Sequence, residues 1–271
     1  MAIEVFNRRE KKYLLSKKQY LGIMAMIQER MEYDTYNKGG EVYKICNIYY
    51  DTPNHDLIRK SISKPVYKEK IRVRGYGEVA LGDKVFVELK KKYKGVVNKR
   101  RTAMKLEDAL WYLDGKIGMA EVIAKNPGVN RQVLAELDYF KKINPIRPMV
   151  YLSYERMAYV AKEDKNFRVT FDTNITSRRK DVELHKGSFG RRLLPEDVYL
   201  MEVKIPGAVP LWFARCLSQL KVYPTSFSKY GTEYMRYLQE NKGEEICLNQ
   251  FLQAQQQITQ LILAGRLSEL A

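Results

Sequence analysis

The sequence predicts an α+β fold: a sheet closed on itself around an ionic interior, apolar outside and wrapped by helices. Three observations predict it. First, charged side chains recur at every second position in six stretches: Arg8-Glu10-Lys12, Arg72-Arg74, Glu88-Lys90-Lys92, Lys99-Arg101, Arg168-Asp172 and Glu202-Lys204. Residues two apart share a face of a strand, so each strand has one ionic face. Second, the intervening positions in EKIRVRGYG, KVFVELKKK, NFRVTFDT and VYLMEVKIP are largely apolar, so the opposite face needs cover. Third, 48 Lys and Arg against 32 Asp and Glu leave a formal charge of +16, with the bases inside strand patterns more than in tails. Such an interior is tolerable only if it is wet or filled by a polyanion, because unpaired buried charge is expensive.

The elements follow in order. Residues 3–15 predict the first strand. Ser16 caps a helix with Tyr20, Ile23, Met24 and Ile27 at helical spacing. The Asn37-Lys38-Gly39-Gly40 turn leads to the strand in EVYKICNIYYDT, and NHDLIRKSIS predicts a short helix. Strands follow near 66–76 and 84–92, with Gly75, Gly77 and Gly82-Asp83 marking the hairpin. KGVVNKRRTAMKL predicts another strand, and LEDALWYLDG and NRQVLAELDYFKKI two helices broken by Asn126-Pro127-Gly128. RPMVYLSYERMAYVA, NFRVTFDTNI and VYLMEVKIPG predict three strands, with residues 176–197 a polar loop or irregular hairpin. PLWFARCLSQL and SKYGTEYMRYLQ predict helices, and ICLNQFLQAQQQITQLILAGRL a Gln-rich amphipathic one. The organisation is one domain over residues 1–240 and a helical extension over residues 241–271.

Composition narrows the chemistry. Hydrophobic residues make up 45% of the 271, enough for a packed core. The basic excess points to nucleic acid, an acidic membrane surface or a phosphate-rich small molecule. Cys46, Cys216 and Cys247 are widely spaced and form no CxxC, so reduced thiols in a cytoplasmic protein are expected. The start MAIEVFNRREKKY lacks a signal-peptide core, and no segment approaches the ~20 apolar residues of a membrane span. GxxxxGK[ST], GxSxG and HExxH are absent, and the only histidines, His55 and His185, lie far apart in sequence. Chemistry must therefore use Lys, Arg and carboxylates, a toolkit suited to phosphoryl transfer.

Arg72 and Arg74 are the clearest pair, since guanidinium forks match phosphate oxygens. Their bland alternative is a solvated sheet face. The E-x-K pattern occurs at Glu10-Lys12, Glu88-Lys90 and Glu202-Lys204, where each acid is an ion-pair partner or a metal ligand once phosphates balance the charge. Arg156 and Arg168 add bases on neighbouring strands. Lys229 sits where a helix starts, a natural anion site whose alternative is a surface lysine. The abundant tyrosines fit structural use better than base stacking on single-stranded nucleic acid.

The ordered set RREKKY, NIYYDT, IRVRGYG, VFVELKKK, GVVNKRR, YERMAY, FRVTFD, LMEVK and SFSKYG resembles the polyphosphate polymerase catalytic domain of the vacuolar transporter chaperone (VTC) family. That family belongs to the triphosphate tunnel metalloenzymes, or CYTH superfamily. The resemblance covers roughly residues 3–240. It implies an eight-stranded antiparallel tunnel that binds ATP and inorganic polyphosphate, a divalent ion (Mn²⁺ or Mg²⁺), and transfer of the ATP γ-phosphate to a growing chain. It implies catalytic roles for Arg72, Arg74, Arg156, Arg168 and Lys229. It implies substrate binding by Lys12, Glu88, Lys90, Lys99, Arg101 and Lys204, and metal binding by Glu202. Among Lys99, Arg100 and Arg101 the register is open.

In one departure Arg8 stands where tunnel triphosphatases carry the first Glu of E-x-E-x-K, which favours a polymerase over a triphosphate hydrolase. The alternatives are that hydrolase in the same tunnel and a non-catalytic polyphosphate-binding protein. Nucleic acid is not an expected partner, because the bases follow one strand face. The C-terminal extension is a candidate surface for a helical or membrane-protein partner.

Overall fold

The computed structural model describes residues 9–94 and 96–241, the Arg9 and Lys38 side chains excepted. Arg8, Cys247 and residues 242–271, nearly the whole expected extension, lie outside the described residues.

The strands are β1 (Arg9–Ser16), β2 (Met31–Tyr33), β3 (Tyr43–Asp51), β4 (Tyr67–Tyr76), β5 (Lys84–Tyr93), β6 (Val96–Lys105), β7 (Arg147–Ala161), β8 (Arg168–Arg178), β9 (Arg191–Arg192) and β10 (Val198–Ile205). The helices are α1 (Lys17–Ile27), α2 (Asp56–Ile62), α3 (Leu106–Leu113), α4 (Met119–Lys125), α5 (Arg131–Ile143), α6 (Leu211–Gln219) and α7 (Lys229–Glu240). α1 begins with a reciprocal cap: Ser16 Oγ accepts from the Gln19 amide, and the Gln19 side chain accepts from the Ser16 amide. The short β2, β9 and α4 carry too little periodicity to be read from sequence. The polar stretch after β8 is tied down by Arg178, which donates to the carbonyls of Asp181, Glu183 and Phe189 and stacks 3.5 Å from the Tyr151 ring centroid.

Every pairing is antiparallel, and the main path runs β1-β10-β8-β7-β3-β4-β5-β6, with β2 and β9 added on β7 and β8. This path holds the eight strands expected, but the sheet is not closed. Among the described residues β1 and β6, at its two ends, do not pair. Closing it would set Lys11 and Lys12 against Lys99, Arg100 and Arg101, and like charges across a strand pair are destabilising.

Alternation sorts each strand into two faces. On the outer face, Ile71, Val73, Val87 and Leu89 pack under Leu106, Tyr112, Leu134 and Leu137 of α3 and α5. Tyr13, Leu15, Phe171 and Val203 pack under Ile23 and Ile27 of α1 and Phe213 of α6. Each fully buried side chain of this size contributes about 1.5–3 kcal/mol, so the sheet is held from outside and its inner face is free for polar groups. A third cluster is on the inside: Tyr49, Val150, Leu152 and Leu200 meet Ile58 of α2 and Phe227, Tyr230 and Tyr234 at and before α7. The α2–α7 pair plugs this end of the inner space. Gly231 leaves room for the α7 cap, since a Cβ there would come within 3.1 Å of the Ser228 Cβ.

Candidate functional site

The inner face of β3 to β6 carries one ion-pair lattice centred on Glu88, which is 1% exposed. Arg72 donates through Nε to Glu88 Oε2 at 2.8 Å, with Nη2 at 2.7 Å from the same oxygen, and Lys99 Nζ lies 2.6 Å from Oε1. Burial alone would raise the Glu88 carboxyl, but Arg72, Arg74 and Lys99 hold it well below the usual carboxylate range. Tyr49 accepts from Arg72 at 2.9 Å, and Arg74 donates to Asn47 at 3.1 Å and Tyr154 at 3.2 Å. The arginines are thus aimed by neutral partners as well as by the acid. The register pairs Glu88 with Arg101 and Lys90 with Lys99, which puts Lys99 and Arg101 inside. Arg100 points out, its Nη2 lying 3.4 Å from Glu136 of α5.

A second lattice occupies β7, β8, β10 and β1. Asp172, fully buried, accepts from Arg156 through both carboxylate oxygens at 2.6 and 2.7 Å and from Lys229 at 2.5 Å. Glu202 receives Arg156 at 3.2 Å and Lys229 at 3.3 Å, and Lys12 lies 3.3 Å away. Burial opposes the Glu202 charge, yet Lys229, Lys12 and Arg156 hold the carboxyl well below its ordinary value. Lys229, likewise disfavoured by burial, is raised by Asp172 and Glu202 and stays an ammonium. It is the first residue of α7, whose Ser228 cap accepts from the Gly231 amide. Glu10 joins this lattice, 3.5 Å from Lys12 and 3.7 Å from Lys204. Arg168 lies 2.5 Å from Asp34, between β2 and β3, and is the cross-strand partner of Lys204 on the same face of β8 as Asp172.

A third region is dominated by lysines. β4 and β5 pair Lys70 with Lys90 and Lys68 with Lys92 on the inner face. Lys70 donates only to Ser228 Oγ at 3.3 Å, and Lys68 to the Ser61 carbonyl at 2.9 Å. Burial and then Lys90, Lys68, Lys12 and Arg72 push the Lys70 ammonium down to about 7. Lys99 is pushed down to about 8, by burial against the pull of Glu88. An anion entering here would meet amines poised to take up protons.

The structure therefore brings together Lys12, Arg72, Arg74, Glu88, Lys90, Lys99, Arg101, Arg156, Glu202, Lys204 and Lys229 on one inner face. It adds participants that sequence reading had not put at the site. Lys70 stands two residues before Arg72 and Asp172 four residues after Arg168, so each shares its neighbour's strand face; Tyr49, Tyr154 and Asn47 gave no signal. Among the described residues no group of three or more His, Cys, Asp or Glu side chains is arranged to hold a metal. Glu10 and Glu202 share Lys12 and so face the same space. A Mg²⁺-like ion takes one or two carboxylates and completes its shell with phosphate oxygens and water. The pair fits an ion that arrives with phosphates, not one held by the protein alone.

Fold and site define a class: an antiparallel α+β protein whose curled sheet lines its inner side with arginines, lysines and a few carboxylates. The chain belongs to the VTC domain family, whose model matches residues 7–237. It is similar to vacuolar transporter chaperone complex subunit 4 of Schizosaccharomyces pombe, 25% identical over 206 residues, and spans 28% of that relative's length with 69% of its own. Among solved structures it is similar to a putative adenylate cyclase from Vibrio parahaemolyticus, with a TM-score of 0.44, 12% identity, and 84% of this chain and 97% of that one covered. It is also similar to a protein from Pyrococcus horikoshii OT3, with a TM-score of 0.40, 12% identity, and 85% and 99% covered. No helix among the described residues is long and apolar enough to cross a membrane.

Proposed function

We propose that this chain is a metal-dependent polyphosphate polymerase that moves the γ-phosphate of ATP onto a growing polyphosphate chain and releases ADP. The observation that carries the reading is the paired lattice: Arg72 and Arg74 around Glu88, facing Arg156, Lys229 and Lys12 around Asp172 and Glu202. Membership of the VTC domain family supports it.

The residues have separable tasks. Arg72, Arg74 and Arg156, each aimed by an acid, grip phosphate oxygens in fixed directions, since guanidinium donors are planar and fork-shaped. Lys229 and Lys12 neutralise charge that develops on the oxygens during transfer. Lys90, Lys99, Arg101 and Lys204 hold the remainder of the phosphate chain, and Arg168 meets it at the rim beside Asp34. No protein nucleophile is required: a terminal phosphate oxygen of the chain bonds to the γ-phosphorus while the bond to the β–γ bridging oxygen breaks, leaving ADP. Glu202 with Glu10 would hold a Mn²⁺ or Mg²⁺ ion, which supplies Lewis-acid neutralisation of phosphate oxygens when bound. We place the reaction in the cytoplasm, with partners met through the C-terminal extension.

The test is incubation with ATP and Mn²⁺, with ADP, free phosphate and chain length measured together. Chains with ADP in step are expected. Free phosphate without chains would mark a hydrolase, and tight polyphosphate binding without turnover a binding protein. Glu202→Gln should abolish metal-dependent turnover and leave polyphosphate binding nearly intact, because it removes a metal ligand and no phosphate-gripping base. Full Mn²⁺-dependent activity in that variant would overturn the role given to Glu202.

A further inference from the structure

At the end of the inner space away from α2 and α7, an arc of aromatic rings lines the rim. Centroids lie 6.4 Å apart from Tyr36 to Tyr43, 6.2 Å from Tyr43 to Tyr76 and 6.1 Å from Tyr76 to Phe86. Tyr36 is 74% exposed and Tyr76 43%, whereas Tyr50, Tyr112 and Tyr151 on the outer face are fully buried. Tyr36 and Tyr76 are thus outside the packed core, while Tyr43 is half-buried and packs against its inner cluster. The Arg101 guanidinium stands 4.6 Å from the Phe86 ring centroid, and the Lys84 ammonium 6.0 Å from it.

The registry places the rings beside the phosphate-gripping cations. Tyr43 is the cross-strand partner of Arg156, and Phe86 that of Arg74. Tyr76 follows Arg74 by one same-face step, about 7 Å along the strand. The opposite end of the same strands carries Lys68, Lys70, Lys90 and Lys92, and its inward rings Tyr49 and Tyr230 are buried and stacked on each other. One end thus offers exposed ring faces beside guanidinium groups, and the other offers ammonium groups next to rings that are already buried. Flat heterocycles stack on aromatic rings and guanidinium planes, and do so with little regard to base identity because every base has a π face. A bare phosphate chain gains nothing from the ring faces.

We propose that Tyr43, Tyr76 and Phe86 form a nucleobase platform, so that the ligand is a nucleoside triphosphate bound with one polarity. The base lies on the arc, and the phosphates run past Arg74 and Arg156 toward Lys70 and Lys90. This rests on the phosphate-tunnel reading and adds to it the part of the ligand that is not phosphate. The rings read a π face, not a base edge, so ATP and GTP bind alike.

Equilibrium binding by the full chain tests it with two probes of equal phosphate content, ATP and ribose 5-triphosphate, which lacks the base. ATP should bind about ten-fold more tightly, the order expected of one stacked base. Tyr76→Ala and Tyr43→Ala should remove most of that advantage and leave the affinity for ribose 5-triphosphate unchanged, while Tyr76→Phe keeps it. The unchanged affinity also reports that each variant is folded. Etheno-ATP fluorescence should respond to wild type and much less to Tyr76→Ala. Equal binding of the two probes by wild type, an ATP advantage that survives both alanine variants, or a variant that loses both probes alike would overturn the platform. Wild type binding neither probe would bring down the tunnel reading, and the platform with it.

Discussion

Asp172→Asn should destabilise the empty protein sharply, and phosphate chains should restore part of the loss. The Asp172 side chain has no exposure, and its two cations, Arg156 and Lys229, are only 9% and 8% exposed. An amide of the same shape keeps one acceptor for the Arg156 fork but turns N–H groups toward the other cation. Removing one partner of a buried ion pair costs about 3–5 kcal/mol, because the remaining charge is uncompensated. Glu202, 3.2 Å from Arg156 and 3.3 Å from Lys229, limits the loss but already serves Lys12. For a chain of this size each kcal/mol moves the midpoint by about 2–4 °C, so a fall of about 10 °C is expected. A ligand at a hundred times its Kd adds about 2.7 kcal/mol to any folded state that binds it. In the variant, tripolyphosphate also supplies the counter-charge that Asp172 gave, so its stabilising shift should exceed that in wild type. Calorimetric scans of both proteins, with and without tripolyphosphate, measure the two shifts. A variant that melts within 2 °C (roughly 1 kcal/mol or less) of wild type, or shows the same ligand shift, would refute the idea that Asp172 is the counter-ion holding Arg156 and Lys229.

Two further outcomes follow from the geometry. Lys70 is pushed down to about 7, below the ordinary lysine value. Between there and about pH 10 the unfolded chain holds the extra proton, so this group's contribution to stability rises with pH. A bound polyanion reverses the shift, and tripolyphosphate binding at pH 8 should take up about one proton, read from calorimetry in buffers of different ionisation enthalpy and diminished in Lys70→Met. Wild-type binding with no proton uptake would contradict this. Arg101→Ala should weaken ATP and polyphosphate binding and flatten its salt dependence, whereas Arg100→Ala, which removes only the outward contact to Glu136, should change neither. Equal effects in isothermal titration would place both side chains wrongly.

The ionic face was legible because strand alternation is rigid: once Arg72 is inside, Lys70 and Arg74 must follow it, and Ile71 and Val73 must pack outside. The same rule, applied through the pairing of Glu88 with Arg101, settles the Lys99-Arg100-Arg101 run, which needed a partner strand to fix its phase. Asp172 showed its spacing but not its importance, since nothing in a linear sequence says that Arg156 lies directly across from it. Tyr49, Tyr154 and Asn47 gave no charge signal, and a tyrosine reads equally as core or site. Closure was not legible either. Whether β1 meets β6 depends on twist and shear summed over the whole path, and no local pattern carries that sum.

The unpaired flanks of the sheet bear on solubility. A free strand edge is a template for a second copy of the chain, and proteins blunt such edges with charge, especially lysine. β1, bridged at Lys12 by Thr225, offers Lys11 and Lys12 beside Glu10, and β6 offers Lys99, Arg100 and Arg101, so cations outnumber acids at both edges. One molecule's β1 is repelled by another's β6 as much as by its own. The cations that keep the wall from sealing also keep it from growing into an intermolecular sheet, and that protection is strongest while the anion that would neutralise it is absent.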